Sequence, residues 1–149
     1  MCKSLREGST DLAVMVTAGT VKECLNNPEI VIIGTYVKTP LNWGVHVPAG
    51  CDLKDVDTIE NPRFAISRFN SGSHLLAHFY ADRMGWELNE ESFELVHDLN
   101  GARQRFAESP NLLFLWEKFT TDFLVQLDEF RRIDEVLPPW PCFMIAARR

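Results

Sequence analysis

The chain has 149 residues, of which 46% are hydrophobic and 24% are charged, a composition typical of a folded globular protein rather than a disordered one. Its 15 Lys and Arg residues are scattered and are outnumbered by 21 Asp and Glu residues, so the net charge of −6 argues against a nucleic-acid-binding protein. No window approaches the ~20 apolar residues that cross a bilayer, so we expect no membrane insertion.

The N-terminus and the cysteines bear on the cellular compartment. Residues 1–8 contain no apolar stretch after their basic residues, so they do not resemble a secretory signal and predict a cytoplasmic location. Cys2, Cys24, Cys51 and Cys142 are widely spaced and form no CxxC pair. We interpret them as reduced structural thiols.

Hydrophobic patterning predicts strands that alternate with short helices. In chain order, the predicted strands are residues 11–16, 30–37, 64–69, 92–96, 112–116 and 142–147, with extended segments at 41–48 and 130–133. The predicted helices are residues 21–25, 74–84 and 100–108, with a polar loop or short helix at 50–62 and a mixture of helix and loop at 117–128. This order predicts an α/β fold with a mainly parallel sheet, in which ligands bind beyond the carboxyl ends of the strands.

The segment at residues 68–74 is the strongest local feature, because it joins a strand to a helix. The first turn of a helix leaves backbone N–H groups unpaired, and an anionic or polar ligand fits there. Ser71 and Ser73 add hydroxyl groups, and Gly72 lets the backbone approach a ligand. The alternative is that Ser71 or Ser73 simply caps the helix.

Two histidines share a face of this helix, since His74 and His78 are four residues apart. This is the spacing of a zinc pair, but no adjacent glutamate or third ligand accompanies it. We therefore favour a ligand-facing His74 and a packed His78, with no metal.

A second group of polar and aromatic residues follows the buried strand at 112–116. There Trp116 could stack on a planar ligand and Glu117 could accept its hydrogen bonds, beside Lys118. The alternative places Trp116 in the core, with Glu117 and Lys118 in solvent. No GxSxG elbow, Walker A loop or GxGxxG motif occurs, so the residues predict neither a catalytic group nor a cofactor.

These residues also carry a family resemblance. The chain resembles the ABC-type nitrate, sulfonate and thiamine-pyrimidine-precursor substrate-binding proteins, which have the type II periplasmic-binding-protein fold. The matching segments, in the family's order, are residues 1–8 with 11–14, 36–47, 65–68 with 71–75, 101–103, 114–121 and 139–143.

The resemblance implies two lobes that clamp a ligand and join through hinge strands. Residues 1–40 would be a partial first lobe, 41–141 the second lobe, and 142–149 a returning strand with the C-terminal tail. The ligand contacts would come from Thr17 and Gly19 in the first lobe, from Trp43 at the crossing, and from Ser71, Gly72, Ser73, His74, Trp116, Glu117 and Lys118 in the second lobe.

The sequence departs from the family pattern at several positions. Ala18 stands where relatives usually carry an acidic residue, and Asp134 stands where a glycine is expected. Met1 aligns with the interior of the pattern, so the resemblance predicts a chain truncated at both ends. The first lobe would then leave apolar strand surface uncovered, which predicts either marginal stability or a homodimer.

The resulting hypothesis is a domain that binds a small polar or anionic ligand without catalysis. Two alternatives stay open: an enzyme of pyrimidine or thiamine-precursor metabolism, and a non-binding remnant or interaction domain.

Overall fold

A computed structural model describes residues 1–149, and the chain divides into two compact units. Unit 1 comprises residues 1–41 and 138–149, and unit 2 comprises residues 42–137. The first boundary falls one residue, and the second four residues, from the lobe boundaries predicted from the sequence. No helix in the structure has both the length and the apolar character that crossing a membrane requires.

Unit 1 contains a small antiparallel sheet. Its elements are α1 (Cys2–Arg6), β1 (Leu12–Val16), α2 (Thr17–Asn26), β2 (Ile30–Val37) and β8 (Phe143–Arg148). The strand order is β1-β8-β2, so the last strand of the chain lies between the first two and runs antiparallel to both. Leu5 of α1 packs with Met15, Ile30 and Ala146 in the core of the unit.

Unit 2 contains a five-stranded mixed sheet. Its elements are β3 (Trp43–Pro48), β4 (Arg63–Ile66), α3 (Gly72–Met84), β5 (Phe93–Leu95), α4 (Leu99–Phe106), β6 (Leu112–Glu117), α5 (Lys118–Gln126) and β7 (Phe130–Val136), with short 3-10 helices at Val56–Thr58 and Glu90–Ser92. The strand order is β5-β4-β6-β3-β7. Phe114 of the central strand packs with Phe106, Leu124 and Phe130 in the core.

The α/β class is confirmed, but the expectation of mainly parallel pairing is wrong. Only the pairs β4–β5 and β4–β6 are parallel; β3 is antiparallel to both β6 and β7. The physical reason is the same in both units: a strand–helix–strand segment does yield two strands of the same direction, but a strand distant in sequence is inserted between them. β8 separates β1 from β2, and β3 separates β6 from β7.

Several element bounds differ from the prediction. Helix α1 was not predicted, and residues 17–20, between the strand predicted at 11–16 and the helix predicted at 21–25, form the first turn of α2. Thr17 and Thr20 are buried there, and the hydroxyl of Thr20 bonds back to the carbonyl of Val16 at 3.0 Å. The Thr20 side chain thus bonds to the backbone at the start of the helix, as threonine hydroxyls do near helix ends and turns.

Candidate functional site

One edge of the sheet in unit 2 gathers the sequence-predicted residues of the second lobe. Strands β4, β5 and β6 run parallel, so their carboxyl ends lie together, and β3 begins at the same edge because Trp43 pairs with Glu117. Helices α3 and α5 begin where β4 and β6 end. We call this edge, which comprises residues 67–74, residues 116–118 and Trp43, the carboxyl edge.

The serines at the start of α3 bond mainly to one another. Ser71 is the N-cap, and its hydroxyl accepts the N–H of His74 at 3.3 Å. The Ser73 hydroxyl accepts the N–H of Ser67 at 3.0 Å and lies 3.0 Å from the Ser71 hydroxyl. Both serines are buried, so a contribution from Ser73 to a ligand would come from its backbone N–H rather than from its side chain.

Gly72 and Trp43 come together across the edge. A Cβ atom built on Gly72 would lie 3.5 Å from the Trp43 ring, which is ordinary van der Waals contact. Trp43 is partly exposed, as is Gly72. The first turn of α3 therefore lies against an aromatic surface, with no side chain in between.

Glu117 caps helix α5. Its carboxylate accepts the N–H of Phe119 at 3.0 Å, the N–H of Thr120 at 2.8 Å and the hydroxyl of Thr120. Burial alone would raise the pKa of Glu117, but the bonds from Thr120 and Phe119 outweigh it and lower the pKa. Glu117 is thus an ionised helix cap whose two oxygens already carry hydrogen bonds.

Lys118 belongs to a polar group that the sequence analysis did not identify. Its Nζ lies 2.7 Å from Oε1 of Glu135, and the side-chain amide of Asn42 donates to Oε2 of the same glutamate at 3.0 Å. The Lys118 and Asn42 hydrogen bonds are the largest causes that lower the pKa of Glu135. Oδ1 of Asn42 is buried and has no hydrogen-bond partner. The pairing of β3 with both β6 and β7 brings these three residues together, so no local sequence signal could have revealed the group.

The two histidines of α3 interact directly. The N–H of Asn70 donates to Nδ1 of His74 at 2.9 Å, which leaves the ring proton on Nε2. His74 Nε2 lies 3.2 Å from Nε2 of His78, which therefore accepts this proton in a hydrogen bond. A neutral His74 in this tautomer offers no Nε2 lone pair to a metal ion, and no group of three His, Cys, Asp or Glu side chains in the structure could hold one.

Trp116 belongs to the core side of the edge. Its ring stacks on Phe114 with a centroid distance of 5.1 Å and an interplanar angle of 17°. It also packs against the main core cluster and is only partly exposed. This arrangement matches the core alternative for Trp116.

Thr17 and Gly19 lie in unit 1, at the start of α2. Thr17 is buried; its N–H donates to the carbonyl of Cys142 at 3.0 Å and its hydroxyl donates to the carbonyl of Pro141. Within this unit, Thr17 therefore joins the start of α2 to the segment that leads into β8.

The fold and the strand-end site define a class: the chain has the periplasmic-binding-protein fold. The family described as Ca3427-like PBP matches residues 43–136, and the chain belongs to that family. No curated protein sequence matches the chain.

Solved structures agree with this assignment. The CA3427 gene product of Candida albicans is 25% identical, with a TM-score of 0.85 over 98% of this chain and 49% of that chain. The alkanesulfonate-binding protein SsuA of Xanthomonas axonopodis pv. citri, bound to MOPS, is 17% identical, with a TM-score of 0.78 over 99% of this chain and 51% of that chain. PhnD1 of Prochlorococcus marinus, in complex with methylphosphonate, is 13% identical, with a TM-score of 0.73 over 99% and 60%. The chain thus spans about half the length of the first two of these structures.

Proposed function

We propose that the chain is a small-molecule-binding domain whose ligand is small and polar or anionic, and that the ligand contacts the carboxyl edge of unit 2. The observation that carries this proposal is the convergence of two helix N-termini at one sheet edge, with the Trp43 ring against Gly72. Helix N-termini carry partial positive charge and unpaired N–H groups, which favour an anion.

The two helix N-termini at the carboxyl edge differ in how many of their backbone N–H groups are available to a ligand. At α5 the carboxylate of Glu117 occupies the N–H groups of Phe119 and Thr120, so that helix end is already satisfied. At α3, His74 is the one residue whose backbone N–H donates to the Ser71 hydroxyl. The N–H groups of Gly72 and Ser73 have no acceptor within the helix, because they lie in its first turn. We therefore assign the anionic group of the ligand to α3.

Trp43, Lys118 and Asn42 would hold the remainder of the ligand. Trp43 offers an apolar surface. The Lys118 charge is shared with Glu135, so it adds less than a free ammonium group would. The unpartnered Oδ1 of Asn42 can accept a hydrogen bond from a ligand N–H or O–H group.

The relatives support the ligand class by analogy. SsuA is described as alkanesulfonate-binding, and PhnD1 is described in complex with methylphosphonate. Both ligands carry a compact acid group of the kind that α3 would accept.

Isothermal titration calorimetry with methylphosphonate, MOPS and sulfate tests the proposal. We expect the unaltered chain to bind at least one of the three, and Gly72→Val to weaken that binding about tenfold or more, because the new side chain stands between the backbone N–H groups and the ligand. A Cβ at this position would meet Trp43 at ordinary contact distance, and circular dichroism melting should show that the Gly72→Val variant, with its two further methyl groups, is folded.

The matched control is Gly50→Val, because a Cβ at Gly50 meets nothing within 4 Å and Gly50 follows the other end of β3. This variant should keep the affinity of the unaltered chain. Equal affinity of the Gly72→Val variant would remove α3 from the site, and the absence of heat with all three anions would count against the anionic class. Homodimer formation and a cytoplasmic location stay predictions from the sequence.

A further inference from the structure

Unit 2 has a pocket between helix α3 and the segment that leads into strand β5. Its volume is about 340 Å³, within the range of about 300–1,000 Å³ that is usual for small-molecule sites. Four rings line it, those of Phe69, His74, His78 and Phe93, together with the carboxylate of Glu90, and its other two lining residues are uncharged. We call it the ring pocket.

Three of the rings stand nearly perpendicular to one another. The planes of Phe69 and His74 meet at 85°, those of His74 and Phe93 at 79°, and those of Phe69 and Phe93 at 74°, with centroid distances between 4.6 and 6.2 Å. Phe69 is 47% exposed, so much of its ring surface is open to a ligand. Rings in this arrangement form the walls of a corner rather than a stack that closes the space between them.

Local hydrogen bonds hold the walls of the ring pocket in place. Asn70, in the left-handed conformation at φ 62°, donates its N–H to Nδ1 of His74 at 2.9 Å and so fixes that imidazole. On the other side, Asn89 and Ser92 form a capping box, with two hydrogen bonds of 3.1 Å, around the turn that carries Glu90. These bonds reduce the ordering that a ligand would have to impose on the pocket.

Glu90 carries the only formal charge among the residues that line the ring pocket. His74 accepts the Asn70 N–H at Nδ1 and donates from Nε2 to Nε2 of His78, 3.2 Å away, so both imidazoles are neutral. Glu90 is exposed and belongs to none of the ion pairs in unit 2. The pocket therefore combines an unpaired negative charge with ring faces, which carry negative potential of their own.

We propose that the ring pocket binds a small organic cation of the quaternary ammonium or methylated amine class. Ring faces attract such a cation through their quadrupole, and the carboxylate of Glu90 adds a charge attraction. An anion would be repelled by Glu90, and a neutral apolar group would gain nothing from it. The proposal does not depend on the anion site proposed at α3, because an organic cation needs no acid group.

An amide NMR titration of the full chain with choline tests the proposal. We expect the amide signals of Phe69, Asn70 and Phe93 to shift, with a dissociation constant of about 10 mM or lower. The matched ligand is the neutral tert-butyl analogue of choline, in which carbon replaces the charged nitrogen. It should bind about tenfold or more weakly, because it has the same shape but no charge for the rings and Glu90 to attract.

Two pairs of variants locate the cation in the ring pocket. Phe69→Leu keeps an apolar side chain but removes the ring, so it should weaken choline binding about threefold or more. Its control is Phe119→Leu, since Phe119 is 71% exposed and lies outside the pocket. Glu90→Gln removes the charge at nearly constant shape and should weaken binding about threefold, whereas Glu91→Gln, at the exposed next residue, is its control.

Both controls should change the dissociation constant by less than about 1.5-fold, and the amide spectrum of each variant shows that it is folded. Equal affinity for choline and its neutral analogue would overturn the proposal. So would a choline affinity that neither Phe69→Leu nor Glu90→Gln lowers, or the absence of any shift of the pocket signals at about 100 mM choline.

Discussion

His46, in the middle of β3, is a polar residue held in the core of unit 2 by hydrogen bonds on both ring nitrogens. It is completely buried; its Nδ1 lies 3.1 Å from the carbonyl of Phe114, and its Nε2 lies 2.9 Å from the hydroxyl of Thr121. A carbonyl only accepts, so Nδ1 carries the proton and Nε2 accepts. Gly44 is required beside it, because a Cβ there would lie 2.5 Å from the His46 ring. His46 falls in the extended segment predicted at residues 41–48, and the structure places it in the core.

The neutral state of His46 predicts a pH dependence of stability. Burial lowers its pKa from 6.5 to about 4. Between these values the unfolded chain binds more protons than the folded chain, so stability falls as the pH drops through this window. From pH 7 to pH 5.5 the loss should be about 1 kcal/mol, measured by urea unfolding.

The variants His46→Gln and His97→Asn test the origin of this loss. His46→Gln removes the buried group that titrates. The difference in unfolding free energy between pH 7 and pH 5.5 should therefore shrink by about 1 kcal/mol, even if the variant is less stable at both pH values. The second removes an exposed histidine at φ 66°, a conformation that asparagine tolerates, and should leave the change as it is. An unaltered slope in the His46→Gln variant would contradict the assignment.

One departure from the family pattern, an aspartate at position 134 in place of a glycine, has a physical explanation in the structure. The carboxylate stands where a glycine was expected, and its Oδ2 accepts the hydroxyl of Tyr80 at 2.6 Å. Tyr80 is fully buried, and burial, followed by the hydrogen bond to Asp134, raises the pKa of its hydroxyl. Asp134 thus provides the hydrogen-bond acceptor that the buried hydroxyl of Tyr80 in α3 requires, which a glycine at this position could not do with a side chain.

At the scale of elements, helix α4 requires a glycine at position 101 because the backbone of Val96 lies against it, although glycine has a low helix propensity. Gly101 lies inside α4, and a Cβ built on it would overlap the carbonyl oxygen of Val96, just before the helix. The side chain of Asp98 caps the helix by accepting the N–H of Gly101 at 2.9 Å. The glycine therefore allows the chain to turn closely from β5 into α4.

We expect Gly101→Ala to destabilise the protein, although alanine normally stabilises a helix relative to glycine. Propensity alone would stabilise the helix by up to ~1 kcal/mol, but the overlap with Val96 forces the backbone to move, so we expect a net loss of about 2 kcal/mol or more in chemical denaturation. Gly50→Ala is the control and should change stability by less than about 0.5 kcal/mol, because its Cβ enters open space. A stabilised Gly101→Ala variant would contradict the close approach.

At the scale of the whole molecule, the two units differ in how the chain builds them. Unit 2 is one continuous segment, whereas unit 1 needs both ends of the chain. β1 and β2 pair only with β8, so the first 41 residues contain no complete strand pairing of the sheet. Unit 2 holds all its strands and its own aromatic core within residues 42–137.

This difference predicts that residues 42–137 fold alone and residues 1–41 do not. The longer segment should melt in one cooperative transition by circular dichroism, since its strand pairs and core are internal. The shorter segment should show no transition, because it lacks the central strand of its sheet. A non-cooperative melt of residues 42–137 would show that unit 2 needs unit 1 for its stability.

The sequence by itself determined the elements with strong local patterns. The β-branched run of β2, the apolar run of β6 and the Ser-Gly-Ser start of α3 all form near their predicted positions, because each depends on residues close in the chain. The strand–helix order was sufficient for the α/β class, and the family resemblance placed most of the residues now found at the carboxyl edge.

Only the tertiary structure decided which strands are neighbours and which polar residues meet. The insertion of β8 and β3 between strands of shared direction depends on contacts between distant segments, and so do the Asn42–Glu135–Lys118 group and the buried His46 network. An apolar pattern can identify a strand, but it does not name the distant segment with which that strand pairs. The pairing of the strands in unit 2 therefore fixed the carboxyl edge.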